Sequence, residues 1–225
     1  MESLAFIRPA GSSGSLPDKP LRVLGIDLGT TNSTVAEIIW EPGSPASVRA
    51  RCLEVTQETT EGQYIHVLVP SVVAVHSGKT VIGEGAKRLR SRATELGLEQ
   101  NRDLFYECKN DIGSRKTFHR APEGLSSAAQ VAAKVLKFLS MSALEDDGEP
   151  VMKTVVTVPA SFQAAQRNDT LLAAELADLN LEGGLLDEPV AAFLDYLMSK
   201  GSLELGGQHG EKRLMVFDFG EELAM

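Results

Sequence analysis

The run Gly25-Ile26-Asp27-Leu28-Gly29-Thr30-Thr31-Asn32-Ser33 brings together the kinds of group that phosphate chemistry uses. A tight turn of glycine and short hydroxyl residues exposes successive backbone N–H groups as a concave anion site, and threonine hydroxyls add further donors. Asp27, at the end of a short apolar run, offers a hard oxygen for hydrated Mg²⁺, which usually keeps several waters and takes one or two carboxylates. The same residues also suit an ordinary hairpin turn whose threonines satisfy turn amides, and residue types alone leave both readings open. Other signatures fail position by position. His76-Ser77-Gly78-Lys79-Thr80 looks like the end of a P-loop, but the first glycine of that pattern falls on Val73. Gly83-Glu84-Gly85 lacks the third glycine of the dinucleotide fingerprint, where Arg88 stands. His66, His76, His119 and His209 show no ligand spacing, and Cys52 and Cys108 imply neither a disulfide framework nor a cysteine zinc site.

These residues sit in a chain of 225, with 22 Lys+Arg against 31 Asp+Glu and a formal charge of −9. That balance argues against a nucleic-acid binder, which needs a basic face for phosphate contacts. A hydrophobic fraction of 43% with 24% charged residues describes a globular chain able to bury a core, and no run reaches the roughly 18 apolar residues of a membrane span. No apolar leader follows the N-terminal basic residues, so a cytoplasmic, reducing setting with no membrane partner is expected. Charge is uneven. Residues 86–120 carry nine basic and five acidic side chains, whereas residues 141–225 carry five and sixteen. The basic segment reads either as solvated helix faces or as a wall facing a phosphate, and composition does not choose.

The elements that must position the turn can be read from periodicity. Residues 1–20 mix Gly, Ser and Pro without period and form a tail. Residues 21–27 and 33–40 are strand-like, with the Gly/Thr/Asn turn between them as a hairpin, and a third strand is expected over 48–55. Residues 63–82 alternate short apolar runs with turn signals and read as a β-rich insertion. Residues 83–97 and 99–112 are charge-rich and expected to be helical. Ser126 or Ser127 caps a helix in which Val131, Val135 and Leu139 recur, running out near Glu145. A strand over 153–158 follows, then a helix over 162–179 with Leu172, Leu176 and Leu179 on one face and Asn180 as its stop. Residues 184–187 form a short strand, and a helix to Met198 has Pro189 in its first turn. After a glycine-rich connector, 213–219 is a last strand. The fold class is α/β, a mixed five-stranded sheet with flanking helices and a small β/α insertion over about residues 60–125.

With the elements in place, the hairpin motif resembles the first phosphate motif of the actin-like ATPases, the group with a ribonuclease H-like lobe that includes actin, sugar kinases and the 70-kilodalton heat-shock chaperones. Within that group the details resemble the chaperones. Val69-Pro70-Ser71-Val72-Val73-Ala74 with Ile82-Gly83-Glu84-Gly85-Ala86-Lys87 is similar to their P-S-V-V-A and I-G-x-x-A-K. Lys109-Asn110-Asp111-Ile112-Gly113 resembles K-R-x-I-G, and Val155 to Phe162 with Gln166-Arg167 resembles V-V-T-V-P-A-x-F-x-x-x-Q-R. Asp187-Glu188-Pro189-Val190-Ala191-Ala192 is similar to N-E-P-T-A-A. The resemblance spans about residues 21–220, with the motifs in family order, and implies the first lobe of a nucleotide-binding domain over 21–225.

That resemblance implies ATP or ADP with Mg²⁺ as ligands. It implies Asp27 and Asp218 holding the metal through waters, and Gly29, Thr30, Thr31, Asn32 and Gly220 cradling phosphate. Lys109 would reach the γ-phosphate and orient the attacking water, and Glu188 would lie near that water and the metal. Phosphoryl transfer of this kind needs positioning and charge neutralisation more than covalent help. J-domain and nucleotide-exchange proteins are the partners implied. Pro159 and Arg167 match the family's coupling region, which links nucleotide state to a substrate-binding domain. The chain departs from the pattern at its second phosphate loop, D-x-G-G-G-T, which begins as Asp218-Phe219-Gly220 and continues Glu221-Glu222. Two carboxylates there oppose a polyanion by about 1 kcal/mol or more per close pair. With the second lobe and adenosine-binding residues expected to be missing, the expectation is a nucleotide-binding chaperone lobe that hydrolyses ATP weakly or not at all, or else a non-catalytic interaction protein on the same fold. A sugar-kinase-like phosphotransferase is disfavoured by the Lys109 and Asp187-Glu188-Pro189 motifs.

Overall fold

Strand β1 (Leu21–Asp27) buries Arg22, Leu24 and Ile26 and exposes Asp27 at its end, the two-residue period of a strand with one face on a core. The structure is a computed structural model in which residues 19–42, 48–145, 150–181, 184–199 and Val216 are described. Most of the expected tail, the expected strand over 213–219 and the motif at Asp218 and Gly220 lie outside the described residues. Strand β2 (Asn32–Trp40) returns antiparallel to β1, pairing Asp27 with Thr34 and Leu21 with Trp40, and β3 (Val48–Cys52) runs antiparallel to β2. The third strand is shorter than the expected 48–55. Leu53 turns into the core at 5% exposure while its amide donates to the Val35 carbonyl, and Val55 opens a separate hairpin, β4 (Val55–Thr59) with β5 (Gly62–His66).

The chain then returns through β6 (Val69–Pro70), which pairs with the first two residues of β2. Strands β7 (Val73–His76) and β8 (Lys79–Ile82) form a hairpin, followed by α1 (Glu84–Ser91) and α2 (Ala93–Leu96). The expected helix over 99–112 is absent. Leu104 and Phe105 form β9, pairing with β7, and both are buried. Phe105 packs in the main core and Leu104 in a second, smaller cluster, as neighbours on opposite faces of a strand do, and Asn101 and Glu107 take left-handed φ values of 62° and 55°. Cys108–Asp111 then makes one short 3₁₀ turn.

Helix α3 (Ala128–Glu145) starts where the capping residues indicate: Ser127 Oγ accepts from the Gln130 amide, and Gln130 Oε1 accepts from Ser126. It leads to β10 (Val151–Val158), α4 (Ala164–Leu176), β11 (Leu185–Asp187) and α5 (Glu188–Ser199). The main sheet runs β11-β10-β1-β2-β3, with β6 attached to β2. β10 is parallel to both β1 and β11, and the other pairs are antiparallel, so the expected mixed sheet with flanking helices is present. Leu24, Ile26, Val35 and Val156 of the sheet pack with Val131, Val135, Leu136 and Leu139 of α3. Each such burial is worth about 1.5–3 kcal/mol. The face of α4 turned to the core carries Ala173 and Ala174, while Leu172 and Leu176 are more than 40% exposed. Small side chains let α4 lie close against α3, so the leucine stripe read from the sequence is not the packing face.

Midway along β2, opposite Leu24, Glu37 is 2% exposed and accepts from Arg22, also buried, at 2.7 Å and from Arg51 at 2.5 Å. Arg22 Nη2 also donates to the Ala143 carbonyl of α3 at 2.9 Å, tying β1 and β2 to the helix. Burial works to raise the Glu37 carboxyl, and the hydrogen bonds from Arg51 and Arg22 outweigh it, leaving its pKa below the ordinary 4.5. A depressed carboxyl contributes stability above 4.5 and loses it as pH falls through the folded-state value. Glu37→Gln removes the buried carboxylate that Arg22 and Arg51 share, and breaking such a pair by removing one partner should show in urea unfolding at neutral pH as a loss of about 3–5 kcal/mol. The gap between variant and parent should narrow below pH 4.5, and a pH-independent gap would show that the pair contributes no linkage.

Candidate functional site

Parallel pairing brings three chain segments to one edge of the sheet. In the β1–β10 ladder Asp27 is the partner of Thr157, and in the β10–β11 ladder Val158 is the partner of Asp187. Strands about 4.8 Å apart put the ends of β1 and β11 about 10 Å from each other. Glu188 follows β11 directly as the first residue of α5, so its carboxylate sits at the positive end of a helix. Open α/β sheets hold their ligands at such carboxyl ends.

The 28–31 loop between β1 and β2 lies over this edge and is gripped from the side by Ser71. The Ser71 amide donates to the Thr31 carbonyl at 2.8 Å, its hydroxyl donates to the Gly29 carbonyl at 2.8 Å, and the Ser33 hydroxyl lies 2.8 Å from the same Oγ. Pairing of Asn32 with Pro70 and Ser33 with Val69 brings Ser71 there. The Gly29 backbone folds so closely that a Cβ would meet the Asn32 carbonyl oxygen at 2.0 Å, so the glycine is required by space.

Lys109 approaches from the 3₁₀ turn. Its Nζ donates to Glu188 Oε1 at 2.9 Å, with the two side chains 13% and 21% exposed. The turn is anchored at Gly113, where φ is +81° and a Cβ would press on Gln166 at 2.5 Å, and the Gly113 amide donates to Asp169 of α4 at 2.8 Å. Arg167 of α4 in turn donates to Asp187 at 2.6 Å and to the Phe162 carbonyl at 2.9 Å, fixing the strand end from which Glu188 follows. Leu28, Gly29, Thr30, Ser71, Cys108 and Lys109 border a cavity of about 20 Å³, room for about one water and far short of a nucleoside. The Cys108 thiol is pushed up to about 12 by burial and by the nearby Asp111 carboxylate, so it stays protonated and serves as wall, not nucleophile.

Asp27 is exposed, and its Oδ1 accepts from the Thr157 hydroxyl at 2.8 Å. Among the described residues no group of three or more His, Cys, Asp or Glu could enclose a metal ion. No Lys or Arg among the described residues pairs with Asp27, and a carboxylate so placed suits Mg²⁺ held through its water shell.

Of the residues singled out in the sequence, Gly29, Thr30 and Lys109 border one cavity, Glu188 is ion-paired to Lys109, and Asp27 ends on the same sheet edge. Thr31 is exposed beside them, and Asn32 pairs with Pro70 in the ladder. Asp218 and Gly220 lie outside the described residues. The other basic side chains of the 86–120 segment behave as solvated faces: Arg88 pairs with Glu61 and Glu84, Arg92 with Glu95, Lys116 with Asp111, and Arg120 with Glu99. Sequence reasoning missed Ser71 and Thr157. The available signal was a small hydroxyl residue inside each of two otherwise apolar motif runs.

A family model described as Hsp70 protein matches residues 23–222. The chain is 35% identical over 198 residues to a protein named "Chaperone protein DnaK" from Metamycoplasma hominis, covering 88% of this chain and 28% of that protein. It is likewise 35% identical over 198 residues to the protein of the same name from Mesomycoplasma hyopneumoniae strain J, with the same coverage. The match to the DnaK of Mycoplasmoides gallisepticum is 33% over 201 residues, 88% of this chain and 29% of that protein. The chain thus spans between a quarter and a third of the length of these curated relatives.

Ser71→Ala removes the hydroxyl that serves both the Gly29 carbonyl and Ser33. Urea unfolding should show a loss of about 1–3 kcal/mol, and hydrogen exchange should speed up at the loop amides of Gly29, Thr30 and Thr31 before it does so in β1. Uniform acceleration across the sheet would show that Ser71 does not hold the loop in particular.

Proposed function

The chain belongs to the Hsp70 protein family, and on that premise we propose that the edge built from Asp27, the 28–31 loop, Lys109 and Glu188 binds the magnesium-bound phosphates of ATP or ADP. The observation that supports this reading is that one end of the sheet carries both a turn gripped by Ser71 that borders one cavity with the largely buried Lys109, and the Asp27 carboxylate, which pairs with no Lys or Arg among the described residues. Gly29, Thr30, Thr31 and Asn32 would supply donors to β- and γ-phosphate oxygens, and Asp27 would hold the metal through water; Asp218 and Gly220, outside the described residues, are proposed for the same ligands on family resemblance alone. Bound Mg²⁺ supplies neutralisation of charge spread over the phosphate oxygens. Lys109 turns from Glu188 toward the γ-phosphate and orients the attacking water, and Glu188 lies near that water and the metal. Phosphoryl transfer asks for positioning and charge neutralisation more than covalent help, and these placements would supply this lobe's share of it.

Hydrolysis by this chain alone is proposed to be weak or absent. The resemblance covers the first lobe alone, and Glu221-Glu222 put two negative charges where the family pattern has glycines. Those carboxylates also favour a second reading, a non-catalytic interaction protein that keeps the lobe and engages chaperone cofactors. J-domain and nucleotide-exchange proteins are the partners proposed under both. No helix among the described residues is long and apolar enough to cross a membrane, which suits the proposed cytoplasmic setting.

Calorimetry with ATP-Mg and ADP-Mg separates the two. Measurable heat and a raised unfolding temperature are expected, and no heat with no thermal shift at millimolar nucleotide would leave only the interaction-protein reading. If turnover is seen, Lys109→Ala should reduce it to background, and unchanged turnover would remove Lys109 from its role.

A further inference from the structure

The β1–β10 ladder sets Thr157 beside Asp27, and the side chains of such direct neighbours share a face of the sheet. Thr154, Val156 and Val158 of β10 point into the core, so Thr157 stands on the opposite face. Its hydroxyl has one proton to donate. The Asp27 Oδ1 lies 2.8 Å away and the Ile26 carbonyl 3.5 Å, so the carboxylate takes it. No Lys or Arg among the described residues pairs with Asp27.

We propose that Thr157 is a positioning residue for the metal carboxylate, fixing the rotamer of Asp27 so that Oδ2 is the oxygen presented to the magnesium water shell. The proposal rests on the nucleotide-site reading above and deepens it. The choice of donor matters chemically. A lysine or arginine in this place would hold Asp27 still but cancel the charge that attracts the cation, whereas a hydroxyl orients the carboxylate and leaves its full negative charge. Threonine is also stiff at χ1, because its β-branch restricts rotation in a strand, so the donor is itself preorganised. Asp27 sits at a strand end in water, where without this bond it would sample several rotamers and bind the hydrated ion less favourably.

The test uses the full 225-residue chain and titrates ADP by calorimetry, once with excess Mg²⁺ and once with EDTA. Thr157→Val keeps the shape and removes the donor, and Thr157→Ser keeps the donor. With magnesium, Thr157→Val should bind ADP about tenfold more weakly than the parent, as expected for loss of a hydrogen bond to a charged group. With EDTA the two should agree, and Thr157→Ser should recover the parent's affinity to within about twofold. Should Thr157→Val fail to fold, judged by thermal unfolding, Thr157→Ala must show the same magnesium-selective loss. Equal affinities in magnesium, or equal weakening in both titrations, would overturn the positioning role while leaving the nucleotide site standing. A parent chain whose ADP affinity ignores magnesium would overturn both.

Discussion

The parallel hydrogen-bond ladder between β1 and β10 is the constraint from which the remaining geometry follows. Its register pairs Asp27 with Thr157, and the next ladder pairs Val158 with Asp187. Parallel neighbours must be joined by a crossover, and here one crossover carries the insertion with α3 while the other carries α4. A slip of one residue would turn Ile26 and Val156 out of the core and Asp27 inward. The apolar alternation on both strands therefore holds the polar edge in place: the core chooses the register, and the register places the carboxylates.

Charge is used differently at two places on this sheet. Midway along it, Glu37 is buried with Arg22 and also accepts from Arg51, an arrangement that ties two strands to α3. Near the carboxyl end of β1 the Lys109–Glu188 pair is only partly buried, and Asp27 is met, among the described residues, by a hydroxyl and not by a cation. Two partly solvated charges lose less on separating than two fully buried ones, which suits the proposal that Lys109 exchanges its carboxylate for phosphate. The proposed exchange of partners at Lys109 therefore asks less of the structure than breaking the Glu37 pair would.

The supports of the proposed site also reach well beyond the residues that face it. Ser71 arrives from the insertion, Gly113 is locked on α4 through Gln166 and Asp169, and Arg167 holds the end of β11. Phosphate recognition by backbone and by one lysine demands that the pieces be held rigidly, because none of them makes a covalent bond that could correct a misplacement. Glycine appears where two backbones approach, at Gly29 over Asn32 and at Gly113 over Gln166, and in both places a methyl group would force the pieces apart.

Much of this was legible in the residues. The hairpin of β1 and β2, the capped start of α3, the strand before Pro159 and the helix opening at Glu188-Pro189 follow from period, turn chemistry and capping, all of which act over a few residues. The motif runs also pointed to Asp27, the 28–31 loop, Lys109 and Glu188 as one set. The segment over 99–112 was misread because its charges resemble a helix face, while its fate was decided by Leu104 and Phe105 packing on β7, a contact distant in sequence. The leucines of α4 were misread for a like reason: helix period shows which residues share a face, and only the close approach of α3 decides that the alanine face is the one buried. Ser71 and Thr157 gave no sign of their partners because they act on loop and carboxylate across separations of 42 and 130 residues. The sequence by itself determined the local elements and the chemical types at the proposed site. Only the tertiary structure decided which oxygen of Asp27 is engaged, which carbonyls Ser71 holds, and that Lys109 rests on Glu188, because hydrogen bonds between remote strands exist only once the register is set.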